Sequence, residues 1–287
     1  MSEVLTIDAR IAAPPERVYA ALTDAGALRV WLAEHAEVSL PEGRYEFWGR
    51  YTPQGERGRQ WLVEAEPGRA LRFGWRLDDQ ETTASFTLAA DGDGTKVKLE
   101  QTGVPTVEQM MAHTGRRDGL HSLHTFWSLA VGTLAEYAEG RELTPKADFS
   151  PDRPLEIRAE VTVDDAPEAV FRSLTDPETV RRWFGWPVEI EPRVGGKVTL
   201  GADGEITEFE PGRVFVYVDG EMVTRWELEG SGGRTRLTFV QSGFTEAERD
   251  SAAQHEAGWL QGLAELKRLH ATGGEPPRGR DLPGREG

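Results

Sequence analysis

The chain of 287 residues is 38% hydrophobic and 29% charged, the composition of a soluble globular protein with room for one large or two ordinary domains. Its formal net charge is −16, shared by residues 1–144 (15 Lys+Arg against 22 Asp+Glu, −7) and 145–287 (18 against 27, −9), so neither nucleic acid nor a membrane surface is an expected partner. It has no cysteine, which excludes disulfides, thiolate nucleophiles and Cys-ligated metal sites; with no apolar run of the roughly 20 residues that span a bilayer and no signal-like start, a cytoplasmic location is expected.

The first element in chain order is the alternating run Leu5-Thr6-Ile7-Asp8-Ala9-Arg10-Ile11, the period of a half-buried strand. Pro14-Pro15-Glu16 opens a helical region with Val18, Leu22 and Trp31 on its apolar side, broken at Thr23-Asp24. Five or six strands follow without a helix, separated by turns at Pro41-Glu42-Gly43, Pro67-Gly68 and Asp91-Gly92-Asp93-Gly94. In the strand Leu71-Arg72-Phe73-Gly74-Trp75-Arg76 the apolar residues face inward and the arginines outward. A long helix is predicted from about Val107 to Glu139.

The same order then repeats. Val18-Tyr19-Ala20-Ala21-Leu22-Thr23-Asp24 returns as Val170-Phe171-Arg172-Ser173-Leu174-Thr175-Asp176, and Trp31 as Trp183. Glu64-Ala65-Glu66-Pro67-Gly68-Arg69 returns as Glu208-Phe209-Glu210-Pro211-Gly212-Arg213. Leu88, Thr95, Val97, Leu99, Gln101 and Gly103 match Leu228, Thr235, Leu237, Phe239, Gln241 and Gly243, and Trp127 matches Trp259 on a second long helix from about Glu246 to His270. Ordered blocks at this density define a tandem duplication. The expected plan is domain 1 over 1–144, a Pro-bearing polar linker over 145–154, domain 2 over 155–272 and a loose Gly/Pro/Arg tail over 273–287.

Hairpin-linked strands without crossover helices require an antiparallel sheet. The fold class is therefore α+β: two domains, each a curved antiparallel sheet wrapped around a long C-terminal helix, with two short helices.

Gln101 and Gln241 share strand parity with inward residues and are candidates to orient a ligand carbonyl or hydroxyl; the alternative is a glutamine bonded to backbone or water. His124 and Glu256 stand three residues before Trp127 and Trp259 on the long helices, facing a cavity or rimming its mouth. Trp31, Trp183, Trp127 and Trp259 occur in both copies and read as core. Trp48, Trp61, Trp75, Trp186 and Trp226 are copy-specific, and the aromatic lining is expected from Trp48, Phe73, Trp75, Phe86 and Trp127 in copy one and Tyr217, Trp226 and Trp259 in copy two. His121 and His124, with His113 and Asp118 nearby, do not complete a metal motif. No Ser-His-Asp order, phosphate loop or dinucleotide fingerprint is read, because Gly195-Gly196 and Gly230 to Gly233 fall in hairpin turns. No catalytic residue, metal or cofactor is assigned, and the oligomeric state is left open.

Leu174-Thr175-Asp176-Pro177-Glu178 leading to Arg182-Trp183-Phe184, and His255-Glu256-Ala257-Gly258-Trp259 followed by Leu263 and Leu266, resemble the SRPBCC superfamily. This is the START and birch-pollen-allergen helix-grip fold, and the nearest branch is named after the activator of the 90-kDa heat-shock protein ATPase. Copy one departs from the pattern with His124-Thr125-Phe126-Trp127. The resemblance implies a cavity between long helix and sheet for a hydrophobic small molecule. Members include aromatic-polyketide cyclases, hormone receptors, lipid carriers and self-resistance proteins of enediyne producers. The leading expectation is thus a binding protein for a polycyclic, polyketide-like molecule, acting as carrier, biosynthetic accessory or self-resistance protein. A two-domain polyketide aromatase/cyclase is the alternative, and a chaperone regulator a third. Copy one, with Trp48, Trp75 and His124 opposite Leu200, Asp219 and Glu256, is expected to be the better ligand site.

Overall fold

The computed structural model describes residues 3–106, 109, 119–201 and 203–272. The expected tail from Gly273, and His113 and Asp118, lie outside them. The chain divides into two compact units at Arg153/Pro154.

In unit 1, β1 (Glu3–Ile11) leads to α1 (Pro15–Thr23) and α2 (Ala25–Trp31). The hairpin β2 (His35–Ser39) and β3 (Arg44–Trp48) precedes β4 (Gln60–Glu66), β5 (Ala70–Leu77), β6 (Gln80–Asp91), β7 (Gly94–Val104) and α3 (Leu123–Glu139). Five strands pair in the order β1-β7-β6-β5-β4, while β2 and β3 form their own ribbon. Unit 2 repeats the plan with β8 (Ile157–Val163), α4 (Pro167–Thr175), α5 (Pro177–Phe184), β9 (Lys197–Thr199) and β10 (Asp203–Glu210). It continues with β11 (Val214–Asp219), β12 (Met222–Ser231), β13 (Arg234–Ser242) and α6 (Arg249–Ala271). Its six strands run β8-β13-β12-β11-β10-β9, and every pairing in both sheets is antiparallel. Both units are helix-grip domains.

Local chemistry sets the boundaries. Pro15 and Pro167 begin α1 and α4, where a missing N–H costs nothing. Asp24 then stops one helix and starts the next: its carboxylate accepts from Ala27 N–H at 2.7 Å, and Asp176 does the same for Thr179 at 3.0 Å. Before α6, Thr245 and Glu248 form a reciprocal capping box. The inward parity of β1 is as read, with Ile7, Ala9 and Ile11 buried. Leu71, Phe73 and Trp75 of β5 are fully buried and Arg72 and Arg76 exposed. Trp61 lies across Gly74 on the outer face of the sheet, so close that a Cβ on Gly74 would sit 2.1 Å from the indole.

The segment read as a linker packs against unit 1. Thr144 donates from N–H and Oγ1 to Glu136 at 2.6 and 2.9 Å. Lys146 Nζ donates to the carbonyls of Arg29, Val30 and Ala33 at 2.9, 3.3 and 3.0 Å and lies 4.6 Å from the Tyr51 ring centroid. An ammonium on carbonyls at the end of α2 opposes the negative pole of that helix. Burial lowers the Lys146 pKa. Phe149 N–H donates to Arg50 O at 2.7 Å, and its ring meets Phe126 at 5.9 Å.

Candidate functional site

The inner face of unit 1 is a cluster of rings. Phe47 meets Phe73 at 5.6 Å and Trp75 at 5.2 Å; Trp75 meets Phe126 at 5.5 Å and Trp127 at 5.9 Å; Phe86 meets Trp127 at 5.7 Å. Most of these contacts are edge-to-face, the arrangement ring quadrupoles favour. In unit 2, Trp226 meets Phe239 at 4.6 Å and Trp259 at 5.4 Å, and Phe184 stacks on Trp259 at 5.7 Å. Phe73 and Tyr217 occupy matching sheet positions; Tyr217 Oη donates to Leu200 O at 2.6 Å, and burial pushes its phenol pKa up.

The nine tryptophans separate by the fate of their N–H groups. All four that occur in both copies are bonded: Trp31 to Ala21 O at 2.9 Å, Trp183 to Ser173 O at 2.7 Å, Trp127 to Gln101 Oε1 at 3.0 Å and Trp259 to Gln241 Oε1 at 3.1 Å. Three copy-specific ones, Trp48, Trp61 and Trp186, reach solvent. The other two, Trp75 and Trp226, are wholly buried, and the Nε1 of each has no hydrogen-bond partner. A buried donor left unpaired costs about 1–3 kcal/mol, so such groups demand an explanation.

Gln101 and Gln241 do face inward, but their amides are engaged. Beyond the indole bonds, Gln101 Nε2 donates to Thr102 O at 2.9 Å and Gln241 Nε2 to Thr224 Oγ1 at 3.1 Å. His124 is half-buried, with Nε2 3.3 Å from Pro105 O, and Glu256 is half-buried on α6.

One inward assignment is corrected, and the position matching Trp75 in copy two is settled. Trp48 stands on the opposite face of β3 from the buried Tyr45 and Phe47, its ring tilted against His35 at 5.5 Å with Arg57 4.9 Å above it. Strand alternation forbids Phe47 and Trp48 from sharing the core face. Asp219 matches Trp75 in register, yet it is exposed, because the β11–β12 hairpin turns immediately after it while β5 and β6 continue to Leu77 and Gln80. It therefore places no charge inside unit 2.

A Ser-His-Asp chain that the sequence order concealed is present in unit 2. His270 Nδ1 lies 2.8 Å from Asp165 Oδ2, and its Nε2 lies 3.0 Å from Ser173 Oγ. The Ser173 hydroxyl also donates to Ala169 O at 3.3 Å, so the imidazole bridges the Asp165 carboxylate and the serine oxygen. The His270 hydrogen bond is the main cause that holds Asp165 below the usual carboxylate range. In unit 1 the three equivalent positions are all alanine: Ala13, whose carbonyl accepts from Thr95 as that of Asp165 does from Thr235; Ala21, whose carbonyl accepts from Trp31 as that of Ser173 does from Trp183; and Ala138, eleven residues after Trp127 as His270 is after Trp259. Hydrogen-bond spacing is that of an activated nucleophile. However, Ser173 is only 5% exposed and sits within α4, where the helix engages the backbone N–H groups an oxyanion would need. The chain pins the end of α6 to the last turn of α4 and to Asp165 ahead of that helix.

Two antiparallel sheets, each gripping a long helix over an aromatic interior, define a tandem helix-grip protein. The family model described as "Activator of Hsp90 ATPase homolog 1-like protein" matches residues 12–127 and again 164–271, and the chain belongs to that family. No curated protein matches it. Among solved structures it is similar to DynU16, a putative protein in the dynemicin biosynthetic locus (17% identity, 93% of this chain and 98% of that one, TM-score 0.35). It is also similar to CalU16 from Micromonospora echinospora (24% identity, 48% and 76%, TM-score 0.36) and to the Aha1 dimer from Colwellia psychrerythraea (18% identity, 41% and 96%, TM-score 0.37). Among the described residues, no helix is long and apolar enough to cross a membrane, and no group of three or more His, Asp or Glu is placed to hold a metal ion.

Proposed function

We propose that the chain encloses a hydrophobic, polycyclic small molecule between sheet and long helix, as a carrier, biosynthetic accessory or self-resistance protein. The observation that carries this reading is the pair of unbonded indole N–H groups at Trp75 and Trp226. Each lies among aromatic rings, and each belongs to the copy-specific set, where two pockets of one ancestry diverge in preference. A guest with a flat apolar body gains area burial and ring contacts there. Helix-grip domains of this family supply the enclosing architecture.

The test is titration of the full chain with a panel of flat polycyclic compounds, followed by quenching of tryptophan fluorescence. Saturable quenching by at least one compound, weakened in Trp75→Phe or Trp226→Phe, is expected. Quenching that rises linearly for every compound, as collisions in solution produce, would sink the reading.

A further inference from the structure

Unit 1 concentrates unpaired donors at one end of its sheet. Gln60 on β4 and Trp75 on β5 are direct antiparallel partners, 4% and 0% exposed, so their side chains stand together on the inner face. Gln60 spends its Oε1 on Phe47 N–H at 3.4 Å, which turns its amide nitrogen away from that bond; neither Gln60 Nε2 nor Trp75 Nε1 has a partner.

Tyr19 Oη on α1 is unpaired as well, and so is Thr52 Oγ1, on a residue 1% exposed in the segment between β3 and β4. That segment closes on itself through Gly49 N–H to Gly55 O at 2.9 Å. It reaches the β5–β6 turn where Asp78 N–H donates to Gln54 Oε1 at 3.0 Å. Its Arg50 carbonyl holds Phe149, which touches Phe126, which touches Trp75. The segment that carries Thr52 is thus tied to the β5–β6 turn at Asp78, three residues past Trp75. In unit 2 the Trp226 indole is likewise unpartnered, while the Tyr217 hydroxyl donates to Leu200 O.

An indole and a primary amide nitrogen donate and do not accept, and a hydroxyl can donate. We infer that unit 1 selects an aromatic guest carrying two or more hydrogen-bond acceptors along one edge, a polycyclic ketone or quinone, in preference to a hydrocarbon or a plain acyl chain. This rests on the reading of the chain as a small-molecule binder and assigns Trp75, Gln60 and Thr52 as its specificity-determining donors. The apolar walls, Phe47, Phe126 and Trp127, hold the ring body while the donors meet the acceptor edge. The competing occupant of such donors is ordered water.

The experiment compares 9,10-phenanthrenequinone, whose carbonyls are adjacent on one edge, with phenanthrene, which has the same ring skeleton and no acceptor. Calorimetric titration of the full chain is expected to show the quinone tighter by about tenfold or more, the worth of one to two well-made buried hydrogen bonds. The preference should shrink about tenfold in Trp75→Phe with Gln60→Leu and remain in Trp226→Phe. Because core variants can unfold, the second readout uses the unaltered protein: the indole ¹H–¹⁵N resonance of Trp75 should move downfield on quinone binding. Equal affinity for both compounds would overturn the inference and leave the general binding reading standing. A Trp75 indole resonance unmoved by bound quinone would assign the donors to water and overturn it also. Binding of neither compound would overturn the inference, and the general reading would fall with it only if no compound of the wider panel saturates.

Discussion

Trp259 donates its indole N–H to Gln241 Oε1 across the gap between α6 and β13, at 3.1 Å, and Trp127 makes the same bond to Gln101 in the other copy, at 3.0 Å. Each pair ties the long helix to the last strand at one height and fixes the helix rotation, so that the aromatic edge of the helix faces the sheet. The glutamines are therefore part of the grip. Gln101→Leu or Gln241→Leu would strand a buried indole donor and should cost the altered domain about 1–3 kcal/mol, read as a lowered midpoint in urea unfolding. An unchanged midpoint would show that the bond is dispensable.

Gly74 is required by its neighbour across the sheet. Gly74→Ala would drive a methyl group into the Trp61 ring and should destabilise unit 1 by about 1–3 kcal/mol. Trp61→Ala in the same chain should recover most of that loss, since the clash has one partner. A double-mutant cycle with no coupling would contradict this account.

Acid should reach unit 2 through Asp165. Its carboxyl titrates lower folded than unfolded, so its stabilisation is complete above the ordinary aspartate value near 4 and disappears as pH falls through the lower folded value. Asp165→Asn should remove this part of the acid sensitivity, flattening the fall in unfolding free energy below about pH 4. Identical pH profiles for variant and parent would refute the linkage.

The burial of Ser173 makes a chemical prediction as well. A fluorophosphonate probe should leave Ser173 unmodified in the folded chain, because the reagent needs both access and oxyanion donors. Labelling that is lost in His270→Ala would instead make the serine a nucleophile.

Lys146→Met should loosen the segment after α3. Three carbonyls at the end of α2 would lose their cation, and amide hydrogen exchange over residues 144–150 should accelerate by about tenfold or more, matching a loss of 1.5–3 kcal/mol for bonds to a charged group. Unchanged protection would mean that Phe149 and Thr144 hold the segment unaided.

Period-2 runs, proline starts and glycine turns made the repeated fold readable, because each is set by a few neighbouring residues. Trp48 was misplaced although the parity signal was there: Tyr45 and Phe47 alternate inward, and Trp48 ends the strand one step out of phase. Asp219 depended on hairpin length, a difference of two residues that matched alignment positions do not show. The Gln–Trp bonds join residues 26 and 18 apart, and the Asp165–His270 contact spans 105; such pairs follow from helix rotation and strand register, which no local pattern carries. The polar nature of the expected linker, residues 145–154, likewise hid its attachment to unit 1, which works through the Lys146 ammonium and the ring and backbone N–H of Phe149.

The exchange of Asp165, Ser173 and His270 for Ala13, Ala21 and Ala138 bears on how the two halves of this gene can evolve. Near-identical tandem repeats are homogenised by gene conversion, which copies a tract of one half onto the other. Here a tract ending between the first and last of the three positions would install part of the set, leaving a polar side chain without the partners it has in unit 2. A tract that carries all three, or none, keeps each polar side chain with its partners. The three-residue contact thus makes exchange between the copies all-or-none at these positions.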